Sequence, residues 1–161
     1  MSLSNFERMI QLADEVFAVK NDPDQLDVNE EVLTRLRKIH PATVSEYDDG
    51  NGPVAWVLLI PTTNALMNEF LSNDISEKQL YEMTPLGAEF DAIYLCSAMV
   101  LGEYRRKGIA KQLSLKAIEA ICKDHPIKAL FVWSFSKEGD LGAESIAPST
   151  SLPLYKRAAS N

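Results

Sequence analysis

Residues 93–122 read IYLCSAMVLGEYRRKGIAKQLSLKAIEAIC, and the rest of the chain is organised around this stretch. Residues 93–101 form a near-continuous apolar run, too short to span a membrane and typical of a central strand that is covered on both faces. After a polar break, five apolar residues recur at intervals of three and four: Ile109, Leu113, Ala117, Ala120 and Ile121. The pattern therefore predicts a strand, a turn and a helix that packs back on the sheet.

The turn between this strand and this helix has the composition of a phosphate site. Gly108 stands at the helix start, where backbone N–H groups lack intrahelical partners, and Arg105, Arg106 and Lys107 lie beside it. Such N–H groups and positive charges favour a bound phosphate, and a glycine lets the ligand approach the backbone closely. We therefore expect an anion at this turn. The alternative is a glycine that serves only the strand-to-helix connection.

The segment Arg105-x-x-Gly108-x-Ala110 resembles the acyl-CoA pyrophosphate loop of the GCN5-related N-acetyltransferase (GNAT) family, whose pattern is Gln/Arg-x-x-Gly-x-Gly/Ala. Residues 100–105, VLGEYR, parallel the family's common Val-x-Pro-x-Tyr-Arg lead-in, with Gly102 where proline is frequent. The resemblance implies acetyl-CoA as the acyl donor, held by Met99, Val100, Leu101, Arg105, Arg106, Lys107, Gly108, Ile109, Ala110 and Lys111. It further implies that a backbone N–H near Val100 polarises the thioester carbonyl.

Length and composition bound the class of protein. The 161 residues suit one domain, and a net charge of -7 opposes non-specific binding to nucleic acid. We therefore expect a single GNAT-like acyl-CoA-binding domain over residues 1–161, with no nucleic-acid and no membrane partner. The first five residues, MSLSN, lack the basic and apolar regions of a secretory signal, so a cytoplasmic protein is expected.

The cysteines and histidines do not suggest a metal site. Cys96 in the apolar strand and Cys122 in the following helix are expected to be reduced core residues. His40 precedes a proline at a predicted helix end, which indicates a surface or capping role, and His125 lies in a predicted turn. We therefore expect no metal ion.

The first half of the chain predicts helices and a hairpin. These are a helix over residues 4–20, a helix capped by Asp27 and stopped at His40-Pro41, strands at 43–47 and 54–60, and helices at 63–71 and 76–81. Ser76 and Gln79 are spaced as a capping box in the last of these helices. The apolar face formed by Leu66, Met67, Phe70 and Leu71 either borders the substrate or binds a partner, or it packs on the core.

The C-terminal part predicts a buried strand at 128–135 and a long loop at 136–153. The resemblance implies that this strand lies parallel to residues 93–101 and diverges from them, with the pantetheine arm in the gap. Residues 154–157, LYKR, resemble the family's Leu-Tyr-x-Lys segment, which implies Tyr155 as the general acid that protonates the departing thiolate. A tyrosine packed at the start of a terminal helix is the alternative.

The resemblance also bears on the chain end and the fold class. Family members usually continue with two more strands, so we expect a shortened C-terminal part and a symmetric homodimer that covers the last strand. The fold class expected is α/β (α+β), with a single-layer, mixed and mostly antiparallel twisted sheet flanked by helices and a helical insertion between strands.

The resemblance implies transfer of an acetyl group to a primary amine of a small molecule or peptide, with Glu46, Glu89 or Asp91 or a water chain accepting the amine proton. The alternative is a non-catalytic CoA-binding or protein-interaction module with a degenerate GNAT fold.

Overall fold

The computed structural model describes residues 3–20, 30–133 and 137–157, which form a five-stranded sheet flanked by six α-helices. The elements in chain order are α1 (Asn5–Lys20), α2 (Glu30–Ile39), β1 (Val44–Asp48), β2 (Pro53–Thr62), α3 (Asn64–Leu71), α4 (Glu77–Met83), β3 (Ala92–Val100), α5 (Ile109–Asp124), β4 (Ala129–Trp133), α6 (Lys137–Thr150) and β5 (Leu154–Arg157). The predicted mixed fold with helices on a sheet is confirmed.

The strands lie in the order β1-β2-β3-β4-β5. β1 pairs with β2 and β2 with β3 in the antiparallel sense, whereas β4 lies parallel to both β3 and β5. The sheet is therefore mixed, as predicted. Two of the four pairs of neighbouring strands are antiparallel and contain most of the paired residues, and the parallel edge strand at residues 154–157 was not predicted.

The N-terminal elements follow their sequence patterns. α1, the predicted hairpin and the end of α2 before Pro41 are confirmed, whereas Asp27 lies outside the described residues. His40 caps a short 3₁₀ turn at Pro41–Thr43 by accepting the N–H of Ala42 at its Nδ1, 3.0 Å away. Its side chain is buried, not on the surface. Its Nε2 lies 2.7 Å from a carboxylate oxygen of Asp124 at the end of α5, so both ring nitrogens have a polar partner.

The insertion between β2 and β3 belongs to the core. Both predicted helices are present, and Ser76 and Gln79 form the predicted capping box of α4. Phe70 is fully buried, with its ring centroid 5.0 Å from that of Tyr94 and 5.7 Å from that of Phe131. Of the two alternatives for the apolar face of α3, packing on the core is therefore the one that the structure shows, because burial of aromatic and aliphatic area stabilises the fold.

Two apolar clusters cover the two faces of the sheet. The larger joins α1 to α4 with one face and includes Met9, Leu36, Phe70, Tyr94, Cys96 and Trp133. The smaller joins α5 and α6 with the other face and includes Val57, Leu59, Ile93, Ala117, Ile121 and Ile146. The strand residues alternate between these clusters, as expected for strands covered on both faces.

The loop predicted at 136–153 is wrong over residues 137–150, which form α6, and residue 136 lies outside the described residues. Within α6, Ala143, Ile146 and Ala147 are spaced by three and four residues and are buried. This apolar stripe outweighs the serine, glycine and proline content that suggested a loop. The terminal helix considered at Leu154 is also wrong, since β5 there pairs with β4 from Leu130↔Leu154 to Trp133↔Arg157.

Candidate functional site

The parallel pair β3 and β4 separates soon after it forms. Their register ends at Tyr94 opposite Phe131, whereas β3 continues along β2 as far as Val100. Cys96 is the additional residue of a β-bulge, because the register between β2 and β3 skips it. A bulge bends its strand and increases the local twist. The bend opens the sheet at the carboxyl ends of β3 and β4, the two strands that were expected to diverge.

A cleft of about 460 Å³ occupies this opening. It is lined by Leu12 of α1, Val57 and Leu59 of β2, residues 95–100 of β3, Arg105, Ala110, Lys111 and Ser114 at the start of α5, Val132 and Trp133 of β4, and Gly142, Ala143, Ser145 and Ile146 of α6. The lining comes from both apolar clusters. The cleft therefore joins the two faces of the sheet.

The first turn of α5 forms the polar end of the cleft. Gly108 is the N-cap, with φ +78°, and it provides no side-chain cap. The first intrahelical bond near this end runs from the N–H of Gln112 to the carbonyl of Gly108, 2.9 Å away. The N–H groups of Ile109, Ala110 and Lys111 have no intrahelical partner. Together with the helix dipole and Lys111, they make an electropositive site suited to phosphate.

The backbone at Gly108 is not covered by neighbouring side chains of the described residues. A β-carbon added to Gly108 would meet no heavy atom within 4 Å among the described residues. Arg106 adopts φ +64°, a left-handed conformation that is uncommon for a side chain other than glycine. Two left-handed residues close together turn the chain sharply between β3 and α5. The turn leaves the helix start open to an approaching ligand.

Hydrogen bonds hold the loop before α5 in place. The guanidinium Nε of Arg105 donates to the carbonyl of Val100, 3.2 Å away. The Tyr104 hydroxyl donates to Asp49 in the hairpin turn, and this bond lowers the pKa of Asp49 and raises that of Tyr104. Glu103 accepts from Arg8 of α1, 2.6 Å away, which lowers the pKa of Glu103. These hydrogen bonds connect the loop to β3, to the hairpin turn and to α1.

The predicted cofactor-binding residues fall into three groups. Met99, Val100, Arg105, Ala110 and Lys111 line the cleft. Arg106, Lys107, Gly108 and Ile109 form the turn and the first helical residue, outside the lining. Leu101 is a core residue instead, buried and with its N–H donating to the carbonyl of Val54 at 2.9 Å. Five of the ten predicted residues are therefore brought together at the cleft.

Tyr155 lies on the edge strand β5, opposite Phe131, and 46% of its surface is exposed. It does not belong to the described lining of the cleft. Its role as a general acid stays a prediction.

The three carboxylates considered as general bases lie elsewhere. Glu46, on β1, accepts the indole N–H of Trp56 at 2.8 Å. Asp91 accepts the backbone N–H of Asn64 at 2.5 Å, and Glu89 is exposed in the loop before β3. Within the described residues, no carboxylate lines the cleft.

Sequence reasoning missed the α6 wall and Leu12. The spacing of Ala143, Ile146 and Ala147 was the available signal for α6, whereas nothing in the sequence indicated that Leu12 reaches the cleft. Cys96 is buried and lines the cleft, but Cys122 is exposed on the outer side of α5. The prediction that Cys122 is a core residue is therefore wrong, because it lies off the apolar stripe of the helix.

Within residues 3–20, 30–133 and 137–157, no group of three His, Cys, Asp or Glu side chains is arranged to hold a metal ion. The helices of these same ranges include none that is long and apolar enough to cross a membrane. Comparisons with protein-family models, with curated proteins and with solved structures found no match for the chain.

Proposed function

We propose that this chain is a GNAT-type N-acetyltransferase, which moves an acetyl group from acetyl-CoA to a primary amine of a small molecule or peptide. One observation carries the proposal: the gap between the parallel strands β3 and β4 leads directly to the glycine-capped start of α5, with Arg105 and Lys111 in its lining. An apolar cleft that borders an electropositive helix start matches a ligand with an apolar arm and a diphosphate.

The diphosphate would bind at the start of α5. The N–H groups of Ile109, Ala110 and Lys111 supply donors, and Arg105 and Lys111 supply charge. The positive φ at Gly108 and the open space above it allow the phosphate oxygens to approach the backbone. Helix N-termini generally bind phosphate through such free N–H groups and the helix dipole.

The pantetheine arm would lie along β3. Beyond Tyr94, this strand has no register with β4 in the described part of the chain, so one of its edges faces the cleft. An arm that contains two amide groups can pair with such an edge as an added strand would. Leu95, Met99 and Val132 supply apolar contacts on either side of the gap.

The reaction needs few groups from the protein. The amine nitrogen bonds to the thioester carbonyl carbon, the C–S bond breaks, and the sulfur leaves with the proton that the nitrogen loses. Binding both substrates in one cleft lowers the entropic barrier, and a backbone N–H near Val100 would stabilise charge on the carbonyl oxygen. Since the described lining contains serines but no carboxylate, a water chain would relay the proton.

Calorimetry with acetyl-CoA and with free CoA tests the binding half of the proposal. We expect both ligands to bind and to raise the melting temperature of the full chain. Absence of binding and of thermal stabilisation at about millimolar ligand would refute any CoA-dependent function. Thiol release from acetyl-CoA in the presence of a panel of amines then tests transfer.

A second candidate is a CoA-binding protein without turnover. The absence of a carboxylate from the described lining and the exposed position of Tyr155 favour it. This candidate predicts acetyl-CoA binding with no amine-dependent thiol release for any member of the panel.

A further inference from the structure

The far wall of the cleft lies on the sheet face opposite α5. Leu12, Cys96 and Trp133 line the cleft and belong to the apolar cluster on that face, whereas Val57 and Ile146 belong to the cluster around α5. A donor anchored by its diphosphate at the start of α5 would extend through the gap with its acyl end toward the far wall. The side chains of that wall therefore meet the acyl group first.

Trp133 is the largest side chain in this wall, and it is held firmly. The guanidinium carbon of Arg157 lies 4.8 Å from the centroid of its ring system, and the Phe70 ring meets it edge-on at 6.1 Å and 89°. Arg157 is itself buried, lies 4.5 Å from the Phe70 ring centroid, and donates from Nη1 to the carbonyl of Ile75 at 2.9 Å. A side chain packed in this way cannot move aside at low cost.

Building on the function proposed above, we propose that Trp133, held by Arg157, sets the length of the acyl group that the cleft accepts. The indole leaves space for an acetyl group and blocks a longer linear chain. Replacement by a smaller apolar residue opens the wall toward Phe70 and Leu12. Each methylene that then becomes buried is worth about fourfold in affinity. Trp133 is therefore the specificity-determining residue for the donor.

The test compares dissociation constants for acetyl-CoA and hexanoyl-CoA, measured by calorimetry on the full chain, for the parent, Trp133→Ala and Trp133→Leu. We expect the parent to bind hexanoyl-CoA at least about tenfold more weakly than acetyl-CoA, and Trp133→Ala to lower that ratio by about tenfold or more. Trp133→Leu should shift it in the same direction by less. This second variant retains more apolar volume, so the comparison holds even where the alanine variant does not fold.

The matched control is Trp56→Ala, which removes the only other tryptophan of the chain. The Trp56 indole bonds to Glu46 and does not line the cleft, so this variant should keep the parent's ratio. An unchanged ratio in folded Trp133→Leu would overturn the role of Trp133 while leaving CoA binding intact. If neither the parent nor Trp56→Ala binds any CoA thioester, both this inference and the proposed function are refuted.

Discussion

Gly108 provides the sharpest test of the proposed phosphate site, because the chain contains a matched control. Gly108 has φ +78° and Gly87, in the loop before β3, has φ +75°, and an added β-carbon meets nothing within 4 Å at either position among the described residues. Substitution by glutamate therefore imposes the same left-handed backbone strain at both sites without a clash. Only the Gly108 substitution adds a carboxylate at the start of α5.

The expected energies distinguish a loss of stability, shared by both variants, from a loss of affinity in one of them. A non-glycine residue in the left-handed region costs about 1–2 kcal/mol, so both variants should be less stable by about that amount. A carboxylate about 6 Å from a diphosphate that carries two charges is repelled by about 1.4 kcal/mol at the dielectric constant of water, and by about four times more at an effective value of about 20. Gly108→Glu should therefore weaken binding at least about tenfold, whereas Gly87→Glu should not.

Chemical denaturation of the two variants gives the stability cost, and calorimetry with acetyl-CoA gives the affinity. A folded Gly108→Glu variant that binds acetyl-CoA as tightly as Gly87→Glu does would refute the assignment of the α5 start as the phosphate site. Equal weakening in both variants would mean that the loss reflects global destabilisation rather than local charge.

Four further outcomes are expected. Tyr155→Phe tests the predicted general acid: a loss of about a hundredfold in amine-dependent thiol release is expected if the hydroxyl protonates the thiolate, and a rate within about threefold of the parent would refute that role. The bond from Tyr104 keeps the pKa of Asp49 below its ordinary value, so its stabilisation is present near neutral pH and is lost as the pH falls through the lowered pKa. The melting temperature of Asp49→Asn should therefore fall less than that of the parent between about pH 5 and about pH 2, and parallel curves would contradict this. Phe70→Ala should cost about 3–5 kcal/mol in urea denaturation, since the ring is fully buried among other aromatic rings, and a cost below about 1 kcal/mol would contradict that packing. Light scattering should report a homodimer that covers β5, and a monomer at all concentrations would refute that expectation.

The parts of the fold that the sequence predicted are those with strong local patterns. The helical periodicity of α1 and α5, the glycine-rich hairpin turn and the capping box of α4 each depend on residues close together in the chain. The parts that it predicted wrongly depend on distant partners. Residues 137–150 are helical because their apolar stripe packs on the cluster around α5, and residues 154–157 form a strand because β4 offers a free edge.

The same distinction between local patterns and distant contacts applies to the candidate site. The glycine-containing turn could be predicted from local sequence: an apolar strand, a glycine in a basic turn and an amphipathic helix are local features, and the helix geometry alone leaves the N–H groups near Gly108 without intrahelical partners. The cleft, in contrast, depends on tertiary packing. Its opening requires β3 and β4 to separate after Tyr94, and its walls require Leu12, Trp133 and α6 to meet across more than a hundred residues of chain. Contacts of that kind depend on how whole elements pack, which no local pattern encodes.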